Sequence, residues 1–165
     1  ALAERELEKI ALVAEPENRR PVGAKEIEDL LSPARAVGAF ALEDALLAGK
    51  LEAAIEALDR HLAGAGYGEP LALLGRLSAI SRRLAAAFAV VGQGGGEDAV
   101  REALGCHPFV AQKYTAAARR HGARAAAALA ACVAADGMLK SGRNPRQVLT
   151  RIVLALAGQT GAMRG

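Results

Sequence analysis

The chain has 165 residues, of which 52% are hydrophobic, 24% charged and 3% aromatic. That length suits one domain with at most an appendage, and it buries enough apolar surface to fold without a disulfide or metal staple. The aliphatic content excludes intrinsic disorder for most of the chain. Two cysteines, Cys106 and Cys132, exclude a disulfide framework and point to a reducing compartment. No apolar run reaches the ~20 residues of a membrane span, so no membrane partner is expected. The balance of 21 basic against 18 acidic residues, formally +3, is too small to claim a strongly basic nucleic-acid patch. Tryptophan is absent, and the scarce aromatics argue against a base-stacking or sugar-binding platform. The chain opens on Ala1 in what reads as mid-helix, which suggests a segment of a longer polypeptide.

Every long periodic stretch has the helical repeat, and no alternating strand pattern stands out. Leu2, Leu7, Ile10 and Val13 share one face of a first helix that should end before Pro16. Residues 24–31 form a short second helix. The segment SPARAVGAF, residues 32–40, reads as the linker of the chain, because Ser, Pro and Gly interrupt the pattern. Two helices follow over 41–48 and 50–63, broken at Gly49, with Leu51, Ile55, Leu58 and Leu62 on one stripe. The strongest helix spans 70–91, carrying Leu71, Leu74, Leu77, Leu84, Phe88 and Val91 at three- or four-residue intervals. GQGGG, residues 92–96, reads as a flexible loop, since no helix tolerates so many glycines.

Residues 97–104 form a short helix ended by Gly105, and His107-Pro108 reads as the cap and first position of the next, running to about His121. An alanine-rich helix covers 123–139. Asn144 and Pro145 then cap and start a last helix whose buried face is Val148, Leu149, Ile152, Val153 and Leu156. The glycine-studded tail from Gly158 reads as frayed. The expectation is an all-α bundle of about seven or eight helices.

Chemistry is hard to find in these residues. Gly49-Lys50 lacks the upstream glycine and the Ser/Thr of a phosphate-binding loop, and the glycine run at 92–96 follows a helix rather than a strand. His61, His107 and His121 have no ligand-type partner one turn away, and neither cysteine sits in a CxxC pair. Cys132 reads as a small core residue, and adjacency to His107 does not make Cys106 a nucleophile. No catalytic residue, metal or cofactor is expected. Residues 98–120 do resemble a helix-turn-helix, with Lys113, Arg119 and Arg120 available to DNA. Against that reading, Arg101 stands where the motif wants a small residue, and Val110 comes one position early for its buried aliphatic. A helix-turn-helix DNA-binding regulator remains the alternative function.

Several strings, taken in order, resemble the delta-subunit family of the bacterial DNA polymerase III clamp loader, in its C-terminal half. They are ERELEKIALVA at 4–14 with AKEIEDLL at 24–31, FALEDALLAGKLEAAIEAL at 40–58, GEPLALLGRLSAISRRL at 68–84, HPFVAQKYTAAARR at 107–120 and ADGMLKSGRNP at 135–145. The resemblance implies that residues 1–37 are the end of a small helical lid domain and 38–165 a helical collar, or oligomerisation, domain. It further implies a non-catalytic, cytoplasmic module within the DNA polymerase III holoenzyme. The collar would hold delta in a five-subunit ring with gamma/tau and delta prime. The sliding clamp would be gripped through an N-terminal domain outside this sequence, and primed DNA would be met only within the assembled complex.

On this basis the broad apolar faces of the long and last helices, with Leu74, Leu77, Leu84, Val148 and Ile152, are candidates for subunit contact; the other reading makes both faces wholly intramolecular. Collars of this family approach the primer–template end near the loop after Lys140, where an aromatic could stack. Here the loop is Ser141-Gly142-Arg143-Asn144, so Lys140, Arg143 and Arg146 are at most phosphate contacts, or else ordinary surface charge.

Overall fold

The computed structural model describes residues 33–63 and 68–157, with side chains from Phe40 onward. The helices expected before residue 32 and the tail from Gly158 lie outside the described residues. The chain divides into two units, Ala1–Val37 and Gly38–Gly165, and the packing below is that of the second.

Among the described residues there are seven α-helices and no strand, as the helical periodicity predicts. They are α1 (Pro33–Ala48), α2 (Leu51–Ala63), α3 (Glu69–Gly92), α4 (Glu97–Leu104), α5 (Pro108–His121), α6 (Ala125–Lys140) and α7 (Pro145–Ala157), with a 3-10 turn at Gly122–Arg124 between α5 and α6. The linker expectation for 32–40 is corrected: α1 starts at Pro33 and runs through the whole segment. Proline suits a first helical position, where no intrahelical N–H is needed, and the neighbouring alanines outweigh Gly38.

The predicted caps are present. His107 Nδ1 accepts from the Phe109 N–H at 3.3 Å, and Asn144 Oδ1 accepts from the Gln147 N–H at 3.2 Å. Gly49, Gly94, Gly105 and Gly142 all have positive φ. After each of them, the next residue's N–H donates to the carbonyl five positions back: Lys50 to Ala45, Gly95 to Val90, Cys106 to Arg101 and Arg143 to Met138. One left-handed glycine device thus ends four helices. At the second of these turns, residues 92–96, read from the sequence as a flexible loop, the chain is instead tight. A Cβ on Gly95 would stand 2.6 Å from the Val90 side chain, so glycine there serves close packing rather than looseness.

α3 is the axle. Leu73, Leu77, Leu84 and Ala87 are fully buried, and α2, α4, α5, α6 and α7 all pack on this helix. Each such leucine contributes roughly 1.5–3 kcal/mol by leaving water. From α7, Leu149, Ile152, Val153 and Leu156 complete the core. Two buried hydroxyls, Ser81 and Thr115, donate to the carbonyls of Leu77 and Ala111 at 2.8 Å, which removes the penalty of burying them.

Phe88, near the end of α3, covers the turn between α5 and α6. A Cβ on Gly122 would lie 2.5–2.8 Å from Phe88 ring and Cβ atoms, so only a glycine lets the turn approach α3. Gly122→Ala should therefore lower stability by about 1–3 kcal/mol through overpacking. Gly137→Ala, with open space around it in α6, should be neutral or stabilising by up to ~1 kcal/mol. Denaturant titration of both variants checks the pair; an unchanged midpoint for Gly122→Ala would contradict the close packing.

Candidate assembly surface

The five residues expected at subunit contacts all sit inside the chain's own core: Leu77 and Ile152 at 0% exposure, Leu84 at 1%, Val148 at 5% and Leu74 at 6%. Leu77, Leu84, Val148 and Ile152 therefore offer a partner almost no surface, whereas Leu74 lines a groove between α3 and α6. α3 and α7 are surrounded by other helices, so the side of each that carries these residues is consumed by intramolecular packing. The apolar side chains that do reach the surface are different ones: Leu71 and Phe88 on α3, Val133 on α6, Leu154 on α7, Phe40 on α1 and Phe109 on α5. Val133 is the most open, at 78%.

Lys140, Arg143 and Arg146 are brought together. They line one groove of about 700 Å³ at the α6–α7 turn, closed on its other side by Leu62, Pro70 and Leu71. Gly142, with φ 78°, makes that turn, and Asn144 caps the helix that follows. Two of the three cations are already engaged. Lys140 pairs with Asp136 at 2.7 Å one turn earlier. Arg146 donates to both carboxylate oxygens of Asp59, at 2.7 and 3.0 Å, tying the start of α7 to α2. The hydrogen bonds from Arg146 hold the Asp59 carboxyl below its ordinary range and raise the guanidinium in turn. Arg143 has no ion pair among the described residues. The Asp59–Arg146 pair has no local sequence signal, because the partners are 87 residues apart.

α4 and α5 do form a helix, a turn at Gly105 and a second helix, but two of the three basic residues of α5 are tied to α1. Lys113 pairs with Asp44 at 2.6 Å and lies 4.3 Å over the Phe109 ring. Arg120 donates to the Ala48 carbonyl at 3.3 Å. Tyr114, fully buried between them, donates its hydroxyl to Glu43 Oε1 at 2.7 Å. Burial and the Glu43 carboxylate both push its phenol well above the ordinary range. α1 therefore lies along the side of α5 that carries Lys113 and Arg120, and only Arg119 of the three expected cations has no such tie among the described residues.

His121 ends this seam. It is buried, its Nε2 has no hydrogen-bond partner, and it touches the space beside Gly49. Burial lowers its affinity for a proton, and Arg124 and Arg120 lower it further, against a smaller opposing effect of the Leu46 backbone. Cys132 is buried as a core residue, and Cys106 is half-buried. Among the described residues no group of three or more His, Cys, Asp or Glu is placed to hold a metal.

The fold and surface thus define a helical packing module, with large apolar side chains at its surface and four of its cations, Arg101, Lys113, Lys140 and Arg146, held in ion pairs. Comparison with known families matches residues 37–156 to the DNA polymerase III delta subunit, C-terminal domain. The chain belongs to that family. Neither the curated proteins nor the solved structures contain a match to it.

The neutral His121 makes a pH prediction. Its folded pKa lies below the unfolded value, so as pH falls through about 6.5 the unfolded chain takes up a proton that the folded chain refuses. The stability it leaves intact at neutral pH is lost on acidification. His121→Gln should show a shallower fall in unfolding free energy between neutral pH and pH ~5. Equal slopes for the two proteins would show that His121 is not the group responsible.

Proposed function

We propose that this chain is the end of the lid, residues 1–37, and the collar, residues 38–165, of a clamp-loader delta subunit in the bacterial cytoplasm. Its task is to hold delta in a five-subunit ring with gamma/tau and delta prime, so that the ring can load the sliding clamp on primed DNA. The observation that carries this reading is the family match over 37–156. The all-helical build with large apolar side chains left at the surface is in keeping with it. The role is mechanical: polymerase activity belongs to the holoenzyme, and ATP and the clamp are handled by other domains.

Mixing the chain with gamma/tau and delta prime tests the reading. A complex containing all three should elute as one species in size-exclusion chromatography, and separate elution at concentrations that saturate the other two would refute it. Within that assembly the groove at the α6–α7 turn faces primed DNA, and Arg143, the cation there without an internal partner, meets a phosphate. Arg143→Ala should weaken binding of primed DNA by the assembled loader at low salt, equally for all sequences, and reduce the salt slope by about one. An unchanged slope would remove Arg143 from the DNA path.

A further inference from the structure

α6 differs from every other helix at the surface. Its core side is Ala125, Ala128, Cys132 and Ala135. Its outer side is Ala126, Ala127, Ala130, Val133, Ala134 and Gly137, all exposed and none of them polar. A helix packed on a core with its other face in water carries charges on that face; one that is apolar all round is covered. Among the described residues nothing covers this one. The small residues leave room for a second backbone to come close, and Val133 stands above them as the single larger side chain. Beside it, between α3 and α6, runs a groove of about 690 Å³ floored by Leu74, Leu129 and Cys132 and edged by Leu71. Through Leu71 and Lys140 this groove continues into the one at the α6–α7 turn.

The rim says what kind of partner fits. Asp136 is neutralised by Lys140, and Arg146 by Asp59. That leaves Arg82 at the α3 edge and Arg143 at the turn as exposed cations without an ion pair among the described residues. A strip that is apolar in the middle and cationic at its edges complements an amphipathic helix with acidic flanks. A bilayer fits less well. α6 is only ~24 Å long, short of the ~30 Å hydrocarbon core. The apolar stretch Pro108–Lys140 that contains it is broken by the 3-10 turn and carries Arg119, Arg120 and Arg124.

We propose that the outer face of α6 and the adjoining α3 groove seat an amphipathic, acid-flanked helix of a neighbouring clamp-loader subunit, gamma/tau or delta prime. This rests on the assembly reading above and adds to it the surface used. Val133→Glu and, separately, Ala130→Glu place a charge on the strip at positions already exposed, so neither should disturb folding; far-UV circular dichroism and the thermal midpoint check that. Each should weaken association of the chain with gamma/tau and delta prime by at least about tenfold, the effect of stranding a charge in an apolar contact. Arg82→Glu should weaken it less, with a loss that disappears at high salt.

If wild type assembles and folded Val133→Glu assembles equally well, the strip is not the seat, and the assembly reading stands. Failure of wild type itself to assemble overturns both. Two further results also overturn the proposal. One is a wild-type self-association, seen by sedimentation, that Val133→Glu abolishes, making the occupant a second copy. The other is Val133-dependent flotation with vesicles of phosphatidylethanolamine and phosphatidylglycerol, making it a lipid surface. An Arg82→Glu variant indistinguishable from wild type at every salt overturns the acidic flank.

Discussion

The apolar face of α3 is the constraint on which the second unit is built. A 24-residue helix spans ~36 Å, long enough to offer separate stretches to α2, α4, α5, α6 and α7. Leu73, Leu77 and Leu84 supply the burial, and truncating any one of them to alanine would forfeit roughly 2–5 kcal/mol. Because one helix organises the others, each neighbour has an inner side already assigned and an outer side that must be solvated or covered. α4 meets the requirement with Glu97, Asp98, Arg101 and Glu102, all exposed. α6 meets it with alanines and a valine, in contrast to the charges of α4.

α1 is attached by another logic. Leu42, Leu46 and Leu47 are buried, yet the specific ties to α5 are polar: Glu43 with Tyr114, Asp44 with Lys113, and the Ala48 carbonyl with Arg120. The exposed Lys113–Asp44 pair contributes little by itself, on the order of 0–1 kcal/mol. The buried Tyr114 hydroxyl matters more, since removing its acceptor would leave a polar group without water. These ties set the register of α1 along α5, which leucines alone would allow to slide.

Much of this was legible in the sequence, and the failures have definite causes. His107-Pro108, Asn144-Pro145 and Gly105 announced helix ends because capping is a local matter of one side chain and the next few amides. Pro33 was read as an interruption although proline is compatible with a first turn; a Ser-Pro pair signals a boundary without saying on which side the helix lies. Which apolar residues reach the surface was hidden for a deeper reason. Leu71 and Leu74, or Leu84 and Phe88, are neighbours on the same turn of α3, and periodicity cannot tell which of two adjacent apolar positions faces inward. Burial, decided by α6, α7 and the 3-10 turn far along the chain, sends Leu74 and Leu84 in and leaves Leu71 and Phe88 at the surface. Arg146 was equally opaque, since its partner Asp59 comes from another helix.

The electrostatics bear on how such a module can be specific. Its formal charge of +3 suggests some attraction to nucleic acid, but several of the cations are tied internally. Lys113, Lys140 and Arg146 each answer a carboxylate within 2.7 Å, and Arg101 lies beside Asp98. Arg120 and Arg124 point at the carbonyls of Ala48 and Ala157. Arg76, Arg82, Arg83, Arg119, Arg143 and Arg151 remain exposed without an ion pair among the described residues, and they are distributed over α3, α5, the α6–α7 turn and α7 rather than gathered on one element. In the assembly proposed above, a neighbour met at high local concentration would be held by fit rather than by field, and the outer face of α6, uncovered among the described residues, is the surface left for it.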